Sequence, residues 1–406
     1  MRPISITPNQ PVMPAAKSRL WQVTHPLWQL GFRPFYLMAA VFAALAIPLW
    51  LARFLGWSTG WVTAWPQLDL NWHMHEMVFG MVLAVIIGFL FTAAKNWTEL
   101  WTPRGAHLAA LAGLWLAGRI AMLFAAPLPA AVIDALFIPL AAWPLYVVLR
   151  KSGNTRNLFL IVLLGLLTLA NLAFHAARLG WLQLAPVVPV QIAILIIVVI
   201  ESVIGTRVIP MFTRNGAPGV QPVVNPRRDQ ITLGLLVAAS LAWLCAVPAL
   251  FSATLAVVAA AAMLYRLFAW RAHRTLRFPL LWILHLSTAW IPVGLVLLAL
   301  AELNIVSVSA AFHALTVGSM AGLILGMMTR TTLGHTGRTL VAGKTEIAIY
   351  LLIQLGAVSR VVAALCSDLM VIGLIVAGVC WSCAFLLFAL TYGRYLCNAR
   401  IDGREG

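Results

Sequence analysis

Histidines and acidic residues inside long apolar stretches are the side chains of this sequence that could do chemistry. One group of them comprises His73, His75, Glu76, His175 and His313. An ionisable side chain in an apolar stretch of membrane length is costly to bury, so each is a candidate for function. Neutral imidazole is a common ligand of iron, copper and zinc, and the group therefore predicts a metal or haem site. A hydrogen-bonded core histidine is the structural alternative.

The spacing within this group limits which members can act together. His73 and His75 are two residues apart, which is about 200° around a helix, so only one of them can face a given iron. His73 and Glu76 share a helix face, where the carboxylate could orient the imidazole. A hydrogen bond from Glu76 to a neighbouring helix is the other interpretation.

A second group lies further along the chain and contains Glu201, His285 and His335. For this group we predict a metal site, a proton entry path or a quinone pocket. A structural hydrogen bond between Glu201 and His285 is the alternative to all three. Asp134 and Glu302 are weaker candidates, and Glu302 is expected at an interface.

Two stretches of the chain repeat one pattern, in which small residues follow a histidine by five, nine and thirteen positions. The two sets are His75 with Gly80, Ala84 and Gly88, and His313 with Gly318, Gly322 and Gly326. Such a stripe lets another helix, or a flat ring, approach the backbone closely. We predict a haem clamped between these two helices by His75 and His313, with His73 and His175 as reserve ligands. Helix packing alone would also explain the stripes.

The elements that position these residues are membrane-spanning helices. Apolar residues make up 62% of the 406 residues and charged residues only 9%. Apolar runs of about twenty residues, enough to cross a hydrocarbon core of about 30 Å, recur along the chain. We predict an all-α polytopic membrane protein with twelve spans, near 34–55, 73–94, 106–124, 128–149, 157–177, 187–209, 231–250, 252–270, 279–301, 308–328, 345–365 and 369–393.

The basic residues, with a net charge of +16, follow the same alternation. In the twelve-span arrangement only Arg53 and Arg178 fall on the outer side, and Arg119 and Arg360 lie within spans. This is the positive-inside pattern and predicts that both chain ends are cytoplasmic. It also argues against nucleic-acid binding. The first group then lies near the outer face, with His313 roughly 8 Å below it, and the second group near the cytoplasmic face.

The sequence predicts three regions. Residues 1–32 form a cytoplasmic arm without a cleavable signal pattern, residues 33–396 form the membrane domain, and residues 397–406 form a cytoplasmic tail. The five cysteines make no disulfide framework. We expect membrane lipid to be a partner of the whole domain.

Three motifs are similar to those of a known family. They are Gly-Phe-Arg-Pro-Phe at 31–35, Trp-His-Met-His-Glu-Met at 72–77 leading into Gly-Phe-Leu at 88–90, and Met-Thr-Arg-Thr-Thr-Leu-Gly-His-Thr-Gly-Arg at 328–338. With them the chain resembles the NnrS family of bacterial membrane proteins. The resemblance implies a twelve-span protein of the inner (cytoplasmic) membrane that binds haem, expected as haem b, and copper.

The resemblance also implies a role in tolerance of nitric oxide, with nitric oxide as ligand and a quinol or another electron donor as partner. The motif residues that carry over are His73, His75, Glu76, Arg330 and His335. Glu76, Glu201, His285 and His335 are the predicted metal ligands. A proton-coupled secondary transporter is the alternative, because twelve helices and a membrane carboxylate would suit one.

The last motif predicts a functional segment at 333–338. Gly334 and Gly337 allow turns that other residues resist. Arg330 and Arg338 supply forked donors suited to a carboxylate such as a haem propionate. Binding of lipid headgroups by a basic loop is the alternative for this segment.

Overall fold

A computed structural model of the chain describes residues 22–57, 65 and 67–405. Within these residues there are twelve long helices and no strand. We number them α1 (Phe32–Phe54), α2 (Leu70–Thr98), α3 (Ala106–Phe124), α4 (Pro127–Lys151), α5 (Phe159–Arg178), α6 (Val187–Gly216), α7 (Pro226–Leu244), α8 (Ala249–Ala269), α9 (Pro279–Glu302), α10 (Val308–His335), α11 (Lys344–Leu365) and α12 (Met370–Cys397). The first 21 residues of the predicted N-terminal arm lie outside the described residues.

Eleven of these twelve helices are long and apolar enough to cross a membrane. The exception among the described helices is α7, whose first turn carries Arg227, Arg228 and Asp229. The helix order confirms the predicted polytopic all-α membrane fold. The predicted seventh span, 231–250, begins five residues late, because the structure starts this helix at the polar residues of Pro226–Asp229.

Local sequence signals explain where several helices begin. The Asp69 side chain accepts a hydrogen bond of 2.7 Å from the Trp72 backbone N–H and caps α2. Proline opens α7 and α9, where its missing N–H costs nothing. Large apolar side chains remain exposed on the outside of the bundle, such as Val162 and Leu169 at 63% and 62%. This outward apolar surface suits a lipid surrounding.

The most deeply buried helices are α2, α9 and α10, and α12 closes the bundle by packing along α1 and α11. Arg33, fully buried at the start of α1, donates hydrogen bonds of 2.9 and 2.7 Å to the carbonyls of Leu396 and Asn398 at the end of α12. The start of α1 and the end of α12 therefore lie at one end of the bundle. We call this the inner end and the opposite one the outer end; which of them faces the cytoplasm stays a prediction.

Two of the central helices depart from α-helical geometry. A π-helical segment runs from Glu76 to Val82 in α2, and another from Ala314 to Ala321 in α10. Each begins directly after a histidine of the matched pattern, His75 or His313. Such segments are rare and occur frequently at functional sites.

The small-residue stripes of these two helices pack against other helices. A Cβ atom at Gly88 would lie 2.9 Å from the Phe35 Cβ of α1, and one at Gly326 would lie 2.8 Å from the Leu284 Cδ2 of α9. Gly318 is likewise covered by the Trp290 ring of α9. The expectation that the stripes leave room for a flat ring is therefore wrong, because side chains of neighbouring helices fill that space.

Candidate functional site

A cluster near the outer end brings His75, Asp134 and His175 together. One ligand atom from each residue lies within 4.8 Å of the others, and all three residues are buried. The His175 Nε2 is 3.0 Å, and the His75 Nε2 3.2 Å, from the same Asp134 Oδ2. Helices α2, α5 and α4 thus each supply one potential metal ligand.

The His75 ring faces oxygen acceptors at both of its nitrogens. Its Nδ1 lies 2.9 Å from Glu76 Oε1, and its Nε2 lies 2.9 Å from Asn171 Oδ1. The Asn171 amide nitrogen donates to Asp134 Oδ2 at 2.8 Å, which turns its oxygen towards His75. A neutral imidazole carries one N–H, so one of these contacts needs a further proton or a metal ion.

The charges within the cluster also indicate that it needs a further proton or a metal ion. Arg119 of α3 pairs with Asp134 and donates to Glu76 Oε1 at 2.9 Å. With neutral histidines, two carboxylates face one guanidinium, which leaves one negative charge in excess. The second oxygen of Glu76 is buried and has no hydrogen-bond partner among the described residues. Since an uncompensated buried charge is costly, the cluster suits one additional cation.

Irregular backbone surrounds this cluster. The π-helical segment of α2 starts at Glu76, and α4 is interrupted at Leu136, two residues after Asp134. The Trp115 ring nitrogen donates to the Gly80 carbonyl within the π segment at 3.0 Å. Glu76 and Asp134, whose side chains point into the bundle, therefore both lie at or next to irregular backbone.

His313 belongs to a different group from His75. Its ring lies within electrostatic range of His73 and Arg360, and its Nδ1 is 2.7 Å from the Ser309 carbonyl. The Ser309 hydroxyl also accepts a hydrogen bond from Arg360. The predicted pairing of His75 with His313 is therefore not what the fold assembles, because His75 contacts Glu76, Asn171 and Asp134 while His313 contacts Ser309.

His73 and Glu76 also differ from the predicted arrangement. The His73 ring stacks on Trp50 with ring centroids 3.9 Å apart, and its Nδ1 is buried without a hydrogen bond. Glu76 contacts His75 instead. The suggested orientation of His73 by Glu76 is thus wrong, because the two histidines point to opposite sides of α2 and the carboxylate follows His75.

Glu201 and His285 do not meet each other. Glu201 accepts a hydrogen bond of 2.9 Å from Ser319 in the π segment of α10. The His285 Nε2 lies 2.8 Å from the Thr213 hydroxyl of α6. The alternative of a Glu201–His285 hydrogen bond is therefore wrong, since each side chain finds a hydroxyl on another helix. Glu302 accepts a hydrogen bond of 2.8 Å from the Ser252 hydroxyl between α8 and α9.

A cavity of about 870 Å³ opens at the inner end, and we call it the inner cavity. Its walls include Phe89, Trp97, Phe212, Met327, Arg330 and His335. Arg330 is only 7% exposed, and its guanidinium lies 4.1 Å from the centre of the Phe212 ring. Within the described part of the chain, no carboxylate lies within salt-bridge distance of Arg330 and no hydrogen bond involves its side chain. The His335 ring makes no hydrogen bond to the described residues either. The cavity therefore presents an uncompensated cation and a free imidazole.

The segment 333–338 is fixed by the end of the chain. Arg400 donates a hydrogen bond of 2.8 Å to the His335 carbonyl, and Asp402 packs against Gly337, whose φ is +77°. Hydrogen bonds from Arg400 hold the pKa of Asp402 well below its usual range, so their ion pair forms throughout the neutral pH range. Arg338 stacks over the Tyr395 ring at 3.8 Å instead of lining the cavity. Of the two predicted arginine donors, only Arg330 faces the cavity.

The sequence indicated some members of these sites better than others. It singled out His75, His175, Arg330 and His335, and it ranked Asp134 too low. It assigned no role to Asn171, which is uncharged, or to Arg119. A cation within a span was visible in the sequence and could have suggested that Arg119 pairs with a buried carboxylate.

The fold and these sites define a class: a polytopic helical membrane protein with a buried histidine–carboxylate cluster at one end and an arginine–histidine cavity at the other. Residues 26–400 match the protein family described as NnrS protein, so the chain belongs to the NnrS family. No curated protein matches the chain.

Proposed function

We propose that this chain is a haem- and copper-binding protein of the bacterial inner membrane that acts in tolerance of nitric oxide. Membership of the NnrS family supports the link to nitric oxide. The observation that carries the proposal is the inner cavity, where a buried arginine and an imidazole face one space, and neither has a counter-ion or hydrogen-bond partner among the described residues.

The residues of the inner cavity fit a haem. Its volume of about 870 Å³ lies within the range of roughly 300–1,000 Å³ that is usual for ligand pockets. His335 would hold the iron, and Arg330 would pair with a propionate, the anion that its buried charge requires. Aromatic side chains such as Phe89 and Phe212 would cover the macrocycle. This assignment moves the proposed haem away from the outer histidines.

The outer cluster fits copper. Two imidazoles and one carboxylate, from His75, His175 and Asp134, form a donor set that binds copper well. The excess negative charge of the cluster matches a bound cation. Glu76 and Asn171 would orient His75, and Arg119 would hold Asp134, as the partners of metal ligands commonly do.

The chemistry that haem would supply is reversible binding of nitric oxide at iron, with or without electron transfer. The protein itself holds the imidazole of His335 in place through the Arg400 bond to its backbone. It also excludes bulk water from Arg330, which strengthens any ion pair formed there. A quinol or another reductant remains the proposed electron donor.

A visible spectrum of the detergent-purified protein tests this proposal. We expect a Soret band that shifts on addition of nitric oxide. His335→Ala and Arg330→Gln should each lower haem content, and Arg330→Lys should restore part of it, while His273→Ala on an exposed loop should not change it. Full haem content in both His335→Ala and Arg330→Gln would exclude the inner cavity as the haem site.

A proton-coupled transporter is the second candidate function, and Glu201 favours it. This side chain sits within α6, and the Ser319 hydroxyl is its one hydrogen-bond partner among the described residues. A carboxylate without a cation in a membrane span suits a proton carrier. A folded but colourless, copper-free preparation that moves protons in vesicles would support this candidate against the first.

A further inference from the structure

A second cavity at the inner end lies on the other face of α6, and we call it the lateral cavity. It has a volume of about 610 Å³ and lies between the start of α5, the last turns of α6 and the start of α7. Three arginines line it, Arg156, Arg207 and Arg214. Its one lining acid, Asp229, already binds Arg228 with two contacts of 3.2 and 3.1 Å. None of the three lining arginines has a carboxylate of the described residues within 4 Å.

A fourth arginine lies beneath the floor of the lateral cavity. Arg266 of α8 is fully buried and donates hydrogen bonds of 3.0 and 3.1 Å to the hydroxyls of Ser202 and Thr206, which line the floor. No carboxylate of the described residues lies within 4 Å of it, and its Nε has no partner. Positive charges gathered around a cleft with apolar walls add up to a strong local potential.

One of the lining arginines is held in position before any ligand binds. The Arg207 guanidinium donates to Asn157 Oδ1 at 2.7 Å and lies 5.4 Å from the centre of the Phe159 ring. A fixed guanidinium loses little side-chain freedom when it binds a tetrahedral anion. Arg156 and Arg214 are exposed at the rim and free to close on the same anion.

We propose that the lateral cavity binds a phosphate group, and that its source is the headgroup of an anionic phospholipid in the surrounding leaflet. Arginine suits phosphate because its forked donors match the phosphate oxygens. Basic pockets between helices at the cytoplasmic side of membrane proteins recognise such headgroups. Val203, Leu233 and Met211 line the same cavity and offer an apolar surface to the first part of an acyl chain. This site requires neither the haem nor the copper of the proposed function.

Native mass spectrometry of the full-length protein, titrated with phosphatidylglycerol or phosphatidylcholine, tests the proposal. We expect wild type to bind phosphatidylglycerol more tightly. Arg156→Gln and Arg214→Gln should weaken this binding by roughly fivefold each, as expected for about 1 kcal/mol per basic residue. Both residues are exposed and form no ion pair with the described residues, so neither change should lower the thermal unfolding midpoint. Arg274→Gln, an exposed arginine outside the cavity, is the matched control.

Competition with inorganic phosphate distinguishes a lipid headgroup from free phosphate as the ligand of the lateral cavity. If millimolar phosphate displaces phosphatidylglycerol, free phosphate is enough for binding and the lipid is overturned as its source; if it does not, the lipid headgroup is the ligand, as proposed. Equal binding of the two lipids, or equal weakening by Arg274→Gln, would overturn the proposal. Haem and copper contents should stay at wild-type levels in these variants, which separates this test from that of the proposed function.

Discussion

In the outer cluster, buried polar side chains require an additional proton or metal ion. His75 faces acceptors at both nitrogens, and Glu76 keeps one oxygen without a partner. Arg119 compensates one of two carboxylates. In a medium of low dielectric constant the remaining charge must be met by a proton or a metal ion.

At this scale we expect His175→Ala and Asp134→Asn each to lower copper content more than tenfold. Each change removes one of the three clustered metal donors. Removal of a residue that only orients a metal ligand already lowers metal affinity by about 10–100-fold, so loss of a donor should cost at least as much. Elemental analysis of purified protein gives the copper content. His73→Ala serves as the control, because His73 stacks on Trp50 outside the cluster. Wild-type copper in both variants would show that the cluster does not hold the metal.

Arg119 gives a second prediction for a single residue. Arg119→Met should destabilise the fold by about 3–5 kcal/mol, because it leaves Glu76 and Asp134 buried without their cation. Adding Glu76→Gln to this variant should recover part of the loss by removing one of the stranded charges. Thermal unfolding in detergent measures both effects. A double variant less stable than Arg119→Met would contradict the charge argument.

Among the helices, α2 and α10 combine close packing with irregular π-helical turns. In α2 and α10, small residues at steps of four bring neighbouring helices close, while the π segments next to His75 and His313 change the direction of the side chains. Close packing thus fixes these helices in the centre of the bundle. Because these helices are held in place, the π segments fix the directions in which His75 and His313 point.

We expect Gly88→Ala to lower the stability of the bundle by about 1–3 kcal/mol. The added Cβ would lie 2.9 Å from the Phe35 Cβ and 3.3 Å from the Gly31 carbonyl, so α1 and α2 would have to separate. Gly113→Ala on α3 is the control, because no atom lies within 4 Å of its added Cβ. Equal unfolding temperatures for the two variants would argue against close packing at Gly88.

In the whole molecule, the two proposed sites lie at opposite ends and share α2 as a wall. This helix carries His75 in the outer cluster and Phe89 in the inner cavity. A central, deeply buried helix therefore connects the two environments. A shift of α2 would move residues of both the outer cluster and the inner cavity, because tightly packed interiors transmit displacement.

The orientation of the whole molecule is tested by reporter fusions. The distribution of Lys and Arg predicts that the inner end is cytoplasmic. A fusion after Gly180 should report an external location, and a fusion after Val341, in the exposed loop before α11, a cytoplasmic one. The reverse result at both positions would invert the proposed orientation while leaving the fold intact.

The sequence by itself determined the class of fold and the depth of most candidate residues. Long apolar runs specify membrane helices because each must satisfy its own backbone hydrogen bonds in lipid. The distance of a histidine from the end of such a run then gives its depth, since the rise per residue is constant. The motif at 328–338 also directed attention to Arg330 and His335, and the structure places both in the wall of one cavity.

Only the tertiary structure decided which residues face each other. The direction of a side chain around a helix depends on its phase, and the π segments shift that phase in a way that no regular period predicts. For this reason His75 joins Asp134 and His175, while His73 stacks on Trp50. The two cavities, whose lining arginines form no ion pair with the described residues, arise from contacts between residues far apart in the chain.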